Sequence, residues 1–311
     1  MPLDPQVKDM LDAMNALGLE PLHKLSVEAA RERALAMVDS DTFPAYSGSI
    51  EDRLLPGPGG DLPVRIYTPE GTGPFPVLMY YHGGGFVICN LDTHETICRL
   101  LSSQSGAIVI SVDYRLAPEY KFPAAVEDCL AATRWAAEHA AEINGDAARI
   151  AVSGDSAGGN LAAVVALRCR DEGGPDLRGQ LLVYPITDHY EPGTESYEAN
   201  ADGYFLTKLG MQWFLDHYLP GSADVGHPHV APLRAADLSG LPPAFVITAE
   251  YDPLRDEGDR YAERLQEAGV DTMHLSCAGM IHGFYGNVRL IDRAGEVIAE
   301  SCRWLREVFA A

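Results

Sequence analysis

The sequence predicts an α/β fold in which a mostly parallel sheet lies between layers of helices. Three observations carry this. From residue 76 onward, short apolar runs alternate with helical patterns. The runs are apolar throughout instead of alternating with polar residues, as strands buried on both faces require. One of them, in "RIAVSGDSAGGNLAAVVAL", passes through Gly-x-Ser-x-Gly directly into a helix.

Taken in order, the chain opens with helices. Asp4-Pro5 is an N-cap followed by a first-turn proline. Val7, Met10, Leu11, Met14 and Leu17 then share one helical face, and Gly18 stops the run. Ser26 opens a second helix to about Val38. "IEDRLL" and "LPVRIYT", parted by the turn-rich "PGPGGD", read as a hairpin at a sheet edge. The strands "VLMYY", "AIVISV", "RIAVSG", "QLLVYP", "AFVITAE" and "TMHLS" follow, with helices expected over 93–104, 124–142, 157–171, 254–268 and 290–309. Residues 187–230 break the rhythm with a long polar stretch and one helix, capped by Thr207 and ended by Pro220-Gly221. An insertion of this size after a strand is where a lid would sit.

Composition narrows the function. The chain has 311 residues, of which 47% are hydrophobic, which decides against disorder. Its formal net charge of −22 repels phosphate backbones and anionic lipid, so neither nucleic acid nor a membrane surface is an expected partner. Solubility is the plain reason for that charge. No stretch approaches the ~18 apolar residues of a membrane span, and the N-terminus lacks the features of a signal peptide. Cys89, Cys98, Cys129, Cys169, Cys277 and Cys302 are scattered, as reduced thiols of a cytoplasmic protein would be.

Chemistry concentrates in three places. In "GDSAG" a turn with Gly154 and Gly158 on either side lifts the Ser156 hydroxyl above the sheet. It also places the Ala157 amide at a helix N-terminus, where negative charge is favoured. A serine needs a base, and the chain order for this elbow is Ser, acid, His. Asp252 ends the strand in "FVITAEYDPLRDEG", and His282 follows the last strand in "AGMIHGFYG". Asp256 and Asp259 compete for the acid role, but lie further into the next helix and are expected to face solvent. The third place is "YYHGGGF". Bare backbone suits an oxyanion hole, with Gly84 and Gly85 as preferred donors beside Ala157, Gly83 shaping the turn and His82 holding the loop.

Together "HGGGF", "DYRLAPE", "FPAAVED", "GDSAGGN", "YDPLRDEG" and "HGF" resemble the hormone-sensitive-lipase family of esterases within the α/β-hydrolase superfamily. The resemblance runs over nearly the whole chain from residue 50. It implies an eight-stranded, mostly parallel sheet flanked by helices. A helical cap from 1–45 and 187–230 would sit on a catalytic domain of 46–186 and 231–311. It implies hydrolysis of short- to medium-chain acyl esters by Ser156, Asp252 and His282, with no cofactor. "DYRLAPE" and "FPAAVED" carry no chemistry that can be derived; Asp113, Arg115 and Glu119 are expected to form a buried polar network. Phe86, Tyr204, Phe205, Met211 and Phe214 are candidates for an apolar substrate pocket.

The same triad would serve an amidase, arylformamidase or lactonase. Gibberellin receptors resemble the family as non-catalytic binders, but lack the histidine found here as His282. His227-Pro228-His229 is a weak metal signal, better read as exposed histidines, and no metal is expected. The sequence is compatible with a homodimer.

Overall fold

The structure is a computed structural model that describes residues 2–311. Eight strands form one sheet in the order β1-β2-β4-β3-β5-β6-β7-β8. The hairpin β1 (Ser49–Gly57) and β2 (Gly60–Thr68) is antiparallel and sits at the edge, as expected. β2 runs antiparallel to β4 (Ile108–Val112). The remaining neighbours are parallel: β3 (Phe75–Tyr81), β5 (Gly145–Asp155), β6 (Leu177–Val183), β7 (Ala244–Tyr251) and β8 (Thr272–Ile281).

The central strands are apolar on both faces because both faces are covered. On β3, Val77, Met79 and Tyr81 join the cluster with Leu130 of α4 (Ala124–Glu138), Leu161 of α5 (Ala157–Glu172) and Leu265 of α8 (Arg255–Glu267). Leu78 and Tyr80, one residue out of phase, join Leu101 of α3 (Glu95–Ser105) and Ile298 of α9 (Asp292–Ala310). A period-2 strand delivers alternate side chains to opposite faces, and here both sets are fully buried.

The N-terminal helices form where their caps predict. Asp4 accepts from the Gln6 and Val7 amides at the start of α1 (Pro5–Ala16), and Ser26 from the Ala29 amide at α2 (Val27–Ala36). Val7 and Leu11 of α1 are buried with the α3/α9 cluster, while Val27 and Ala30 of α2 belong to the opposite one. The insertion at 187–230 holds α6 (Glu195–Ala199), which the sequence pattern did not reveal, and α7 (Lys208–Tyr218), whose Thr207 cap accepts from the Gly210 amide at 2.9 Å. Met211, Phe214, Leu215 and Tyr218 of α7 are buried against the core, and the turn Leu22–Lys24 packs on this helix. The six cysteines are unpaired. Among the described residues, no helix is long and apolar enough to cross a membrane.

Candidate active site

The site lies where four parallel strands end. β5 stops at Asp155, and Ser156 takes φ +56° and ψ −119°, a backbone region that L residues rarely occupy. The surroundings enforce it. The Ser156 amide donates to the Val183 carbonyl (2.9 Å), and α5 begins at the next residue. A Cβ on Gly158 would lie 1.8 Å from the Tyr81 carbonyl oxygen, and one on Gly154 would meet the backbone of Gly158 at 2.3 Å. The small residues on either side of the serine are thus required by close packing of β3, β5 and α5.

β7 and β8 bring the other two groups. Tyr251 pairs with Ile281 across the ladder, so the residues that follow, Asp252 and His282, emerge side by side. His282 Nδ1–H donates to Asp252 Oδ2 (2.7 Å), and Ser156 Oγ lies 2.9 Å from His282 Nε2. The other Asp252 oxygen accepts from the Leu254 amide at 2.9 Å. Asp252 is fully buried, Ser156 and His282 are 7% and 6% exposed, and the Tyr184 ring backs the imidazole at 4.5 Å. A carboxylate that only accepts fixes the hydrogen of the ring on Nδ1 and leaves the Nε2 lone pair for the serine proton.

Asp256 and Asp259 are only partly exposed and are hydrogen-bonded within the protein. Asp256 Oδ2 accepts from the Ser196 amide (2.8 Å) at the start of α6, and Asp259 accepts from Thr248 Oγ1 (2.8 Å) and pairs with His274 (3.0 Å). Neither hydrogen-bonds to His282, whose Nδ1–H goes to Asp252. The insertion is also stapled to the segment after β7 by Asn200, which donates to the Asp252 carbonyl (3.1 Å), and by Glu257, which accepts from the Thr187 amide (2.8 Å).

The glycine loop leaves β3 beside Ser156, because Tyr81 pairs with Gly154. Gly83 N–H donates to Asp155 Oδ1 (3.0 Å) and is therefore engaged. Among the described residues, the amides of Gly84, Gly85 and Ala157 donate to no protein acceptor. Gly84 and Gly85 have φ of +107° and +58°, and a Cβ on Gly85 would lie 2.2 Å from the ring of Phe214. His82 Nδ1–H donates to the Gly83 carbonyl (2.6 Å) and its ring stacks on Tyr114. Burial, with His94 nearby, pushes the His82 imidazole down to about 3, against the Gly83 bond and Asp155, which act the other way.

The five apolar candidates separate. Phe214 covers Gly85, and half-exposed Phe205 stands against Gly283, next to His282. The buried Phe86 ring is stacked face to face on Tyr218 at 3.8 Å. Met211 is buried in the core, and Tyr204 leans on Tyr251.

The expected network of Asp113, Arg115 and Glu119 does not form. Arg115 binds Asp128 of "FPAAVED" through two nitrogens, both at 2.8 Å. Glu119, half-exposed, is held by Arg31 of α2 (2.7 Å), and Arg31 also donates to the Val87 and Ala117 carbonyls (2.9 Å each). Burial pushes the Asp113 carboxyl up to about 6, with Asp92 adding to the rise, and its Oδ1 lies 4.0 Å from His82 Nε2. These motifs brace the segment behind the glycine loop from three directions. His227 packs on Phe122 and accepts from the His229 amide. Among the described residues no group of three or more His, Cys, Asp or Glu is gathered as a metal ion would need.

Sequence reasoning missed Asn160. Its side-chain amide donates to the Ile186 and Val230 carbonyls (2.8 Å each), clamping both ends of the insertion from the start of α5. A buried asparagine in the apolar run "NLAAVVAL" was the available signal.

Residues 78–286 match the family model described as the alpha/beta hydrolase fold. The chain is 41% identical over 312 residues to the esterase LipI of Mycobacterium tuberculosis, covering 98% of this chain and 95% of that one. It superposes with a TM-score of 0.94 and 40% identity on a hyperthermophilic esterase from Pyrobaculum calidifontis, covering 100% of both chains. An ester hydrolase from the Lake Arreo metagenome, complexed with a bipyridine phosphonate derivative, gives 0.95 and 42%, covering 99% of this chain and 100% of that one.

Proposed function

Since the chain belongs to the alpha/beta hydrolase family, among the hormone-sensitive-lipase-like carboxylic ester hydrolases, we propose that it cleaves short- to medium-chain acyl esters through an acyl-enzyme on Ser156. The observation that carries this reading is the unbroken line from Asp252 through His282 to Ser156 Oγ, at 2.7 and 2.9 Å. Ser156 Oγ attacks the ester carbonyl as His282 Nε2 takes its proton. Asp252 keeps the ring oriented and stabilises the imidazolium that forms. The amides of Gly84, Gly85 and Ala157 receive the oxyanion, with Ala157 adding the field of the α5 N-terminus. Collapse expels the alcohol, which takes the proton from His282. Water then attacks the acyl-enzyme by the same route in reverse.

Residues 1–45 and 187–230 act as a cap over the catalytic domain of 46–186 and 231–311. Its α7 lays Phe214 on the oxyanion loop, and Phe205 flanks His282. Such a pocket is finite. Each acyl CH₂ adds about 0.8 kcal/mol until it is full, and further carbons cost about 1–3 kcal/mol in displaced side chains.

A phosphonate is the natural probe, because it mimics the tetrahedral species on the serine. A fluorophosphonate is expected to label Ser156 alone, and Ser156→Ala to lose roughly 10⁵–10⁶ in kcat with the fold intact. Labelling of another residue in that variant would refute the nucleophile. Esters, anilides and lactones of matched acyl length separate the ester reading from an amidase or lactonase using the same triad.

A further inference from the structure

Asp155 has a geometry that the acyl-enzyme chemistry leaves unused. It is the residue before the nucleophile, 7% exposed, yet it carries a carboxylate. Three segments converge on its two carboxylate oxygens. Tyr80 Oη donates to Oδ1 from β3 (2.7 Å), the Gly83 amide to Oδ1 from the oxyanion loop (3.0 Å), and His94 Nε2 to Oδ2 from the turn before α3 (3.4 Å). The Gly83 amide also lies 3.2 Å from His94 Nε2. That nitrogen cannot accept the amide while donating to Asp155, so the Gly83 hydrogen belongs to the carboxylate and Nε2 carries its own. Burial pushes the Asp155 carboxyl up, but the His94 charge and hydrogen bonds and the Tyr80 bond outweigh it and leave the group lowered.

The segment from Gly83 to His94 therefore leaves this carboxylate at one end and returns to it at the other. Its return is fixed locally: Asn90 Oδ1 accepts from the Asp92 and Thr93 amides, and Thr93 Oγ1 lies 2.8 Å from His94 Nδ1. The free amides of Gly84 and Gly85 lie within this closed loop. A second consequence is electrostatic. A bare carboxylate one residue from the nucleophile would oppose an oxyanion forming beside it, and donors gathered on the carboxylate reduce that opposition.

We infer that the His94–Asp155 pair is a positioning device for the oxyanion hole, setting the Gly84 and Gly85 amides relative to Ser156. It rests on the acyl-enzyme reading above. It acts on the transition state and not on the bound ester, and misplacement on the ångström scale can cost about 10²-fold.

The test uses Asp155→Asn, His94→Phe and His94→Gln in the full chain. The measurements are kcat and KM on a p-nitrophenyl acyl ester, Tm, and Ki for an alkyl trifluoromethyl ketone, which places an oxyanion in the hole. Asp155→Asn and His94→Phe are expected to lower kcat about 30- to 100-fold, with KM changed less than about twofold and ketone affinity falling in step with kcat. His94→Gln keeps an N–H that can reach the carboxylate, and is expected to recover at least about tenfold in kcat over His94→Phe. If Asp155→Asn does not fold, the two His94 variants decide alone. Wild-type kcat in folded His94→Phe, a loss that appears in KM or Tm without the ketone, or equal losses in Phe and Gln would each overturn the inference. Failure of the acyl-enzyme reading is distinct: it shows in the unsubstituted enzyme, as insensitivity to the ketone, or as activity retained in Ser156→Ala.

Discussion

The Phe214 ring occupies the space that a side chain on Gly85 would need, with Cδ1 and Cγ each 2.2 Å from an ideal Cβ. Helix α7 and the glycine loop are thus in contact at the residue proposed to hold the substrate carbonyl. Gly85→Ala must displace either the ring or the loop, at a φ of +58° that already disfavours alanine. The expected outcome is a fall in kcat of about 10²-fold or more, read against an unchanged far-UV spectrum.

Phe214→Ala opens the same contact from the other side. The acyl-length optimum, expected at about four to eight carbons from a pocket of finite apolar volume, should move to longer chains. Met211 is the control. It is buried in the core, so Met211→Ala should cost about 2–5 kcal/mol of stability and leave the optimum in place. Long-chain triglycerides as best substrates, with activation at an oil–water interface, would refute the closed pocket.

Asp252→Asn should lower kcat by about 10⁴, because the amide cannot hold the imidazole in the required tautomer. Asp256→Asn should change kcat by less than about threefold, since its partners are the Ser196 amide and the neighbouring Arg255, and an asparagine oxygen can still accept. A reversed result would assign the acid to Asp256.

Asn160→Asp replaces the two donors that clamp the Ile186 and Val230 carbonyls with a buried charge. Stability should drop by about 3–5 kcal/mol, and limited proteolysis should cut first within 187–230. Cleavage elsewhere, with that segment protected, would show that the clamp is not at Asn160.

His82 makes stability depend on pH. Its folded value, about 3, lies below the ordinary histidine range, so the unfolded chain takes the proton first on acidification. The stability associated with neutral His82 is fully present above about pH 6.5 and is lost as pH falls toward 3. Thermal melts should therefore show a Tm that declines below about pH 6.5, and His82→Gln should flatten that slope. An unaltered slope in the variant would assign the acid limb to other groups.

Most of the fold was legible because its signals are local. Uninterrupted apolar runs marked the buried strands, and Asp4, Ser26 and Thr207 marked helix starts that the structure reproduces. Asp252 and His282 could be picked out because each follows a strand end. What stayed hidden was pairing across distance. Arg115 was grouped with its neighbours Asp113 and Glu119, yet binds Asp128, while Glu119 binds Arg31 from a helix 88 residues earlier in the chain. α6 escaped notice because five residues are too few for a helical period to show, and Asp256 of α8 supplies its first-turn acceptor. Asp155 looked like the variable position in Gly-x-Ser-x-Gly, and nothing local reveals that three distant donors meet on it.

Ser156 and His282 stand 126 residues apart in the chain, and the imidazole arrives only with the end of β8. No local fragment can therefore assemble the proposed triad. Contacts so distant in sequence form late, since loop closure must precede them. After dilution from denaturant, helical ellipticity should return first and ester turnover only when the last strand has docked. Turnover is thus a clock for completion of the sheet, and its lag behind the helical signal measures how long the chain spends nearly folded and chemically inert.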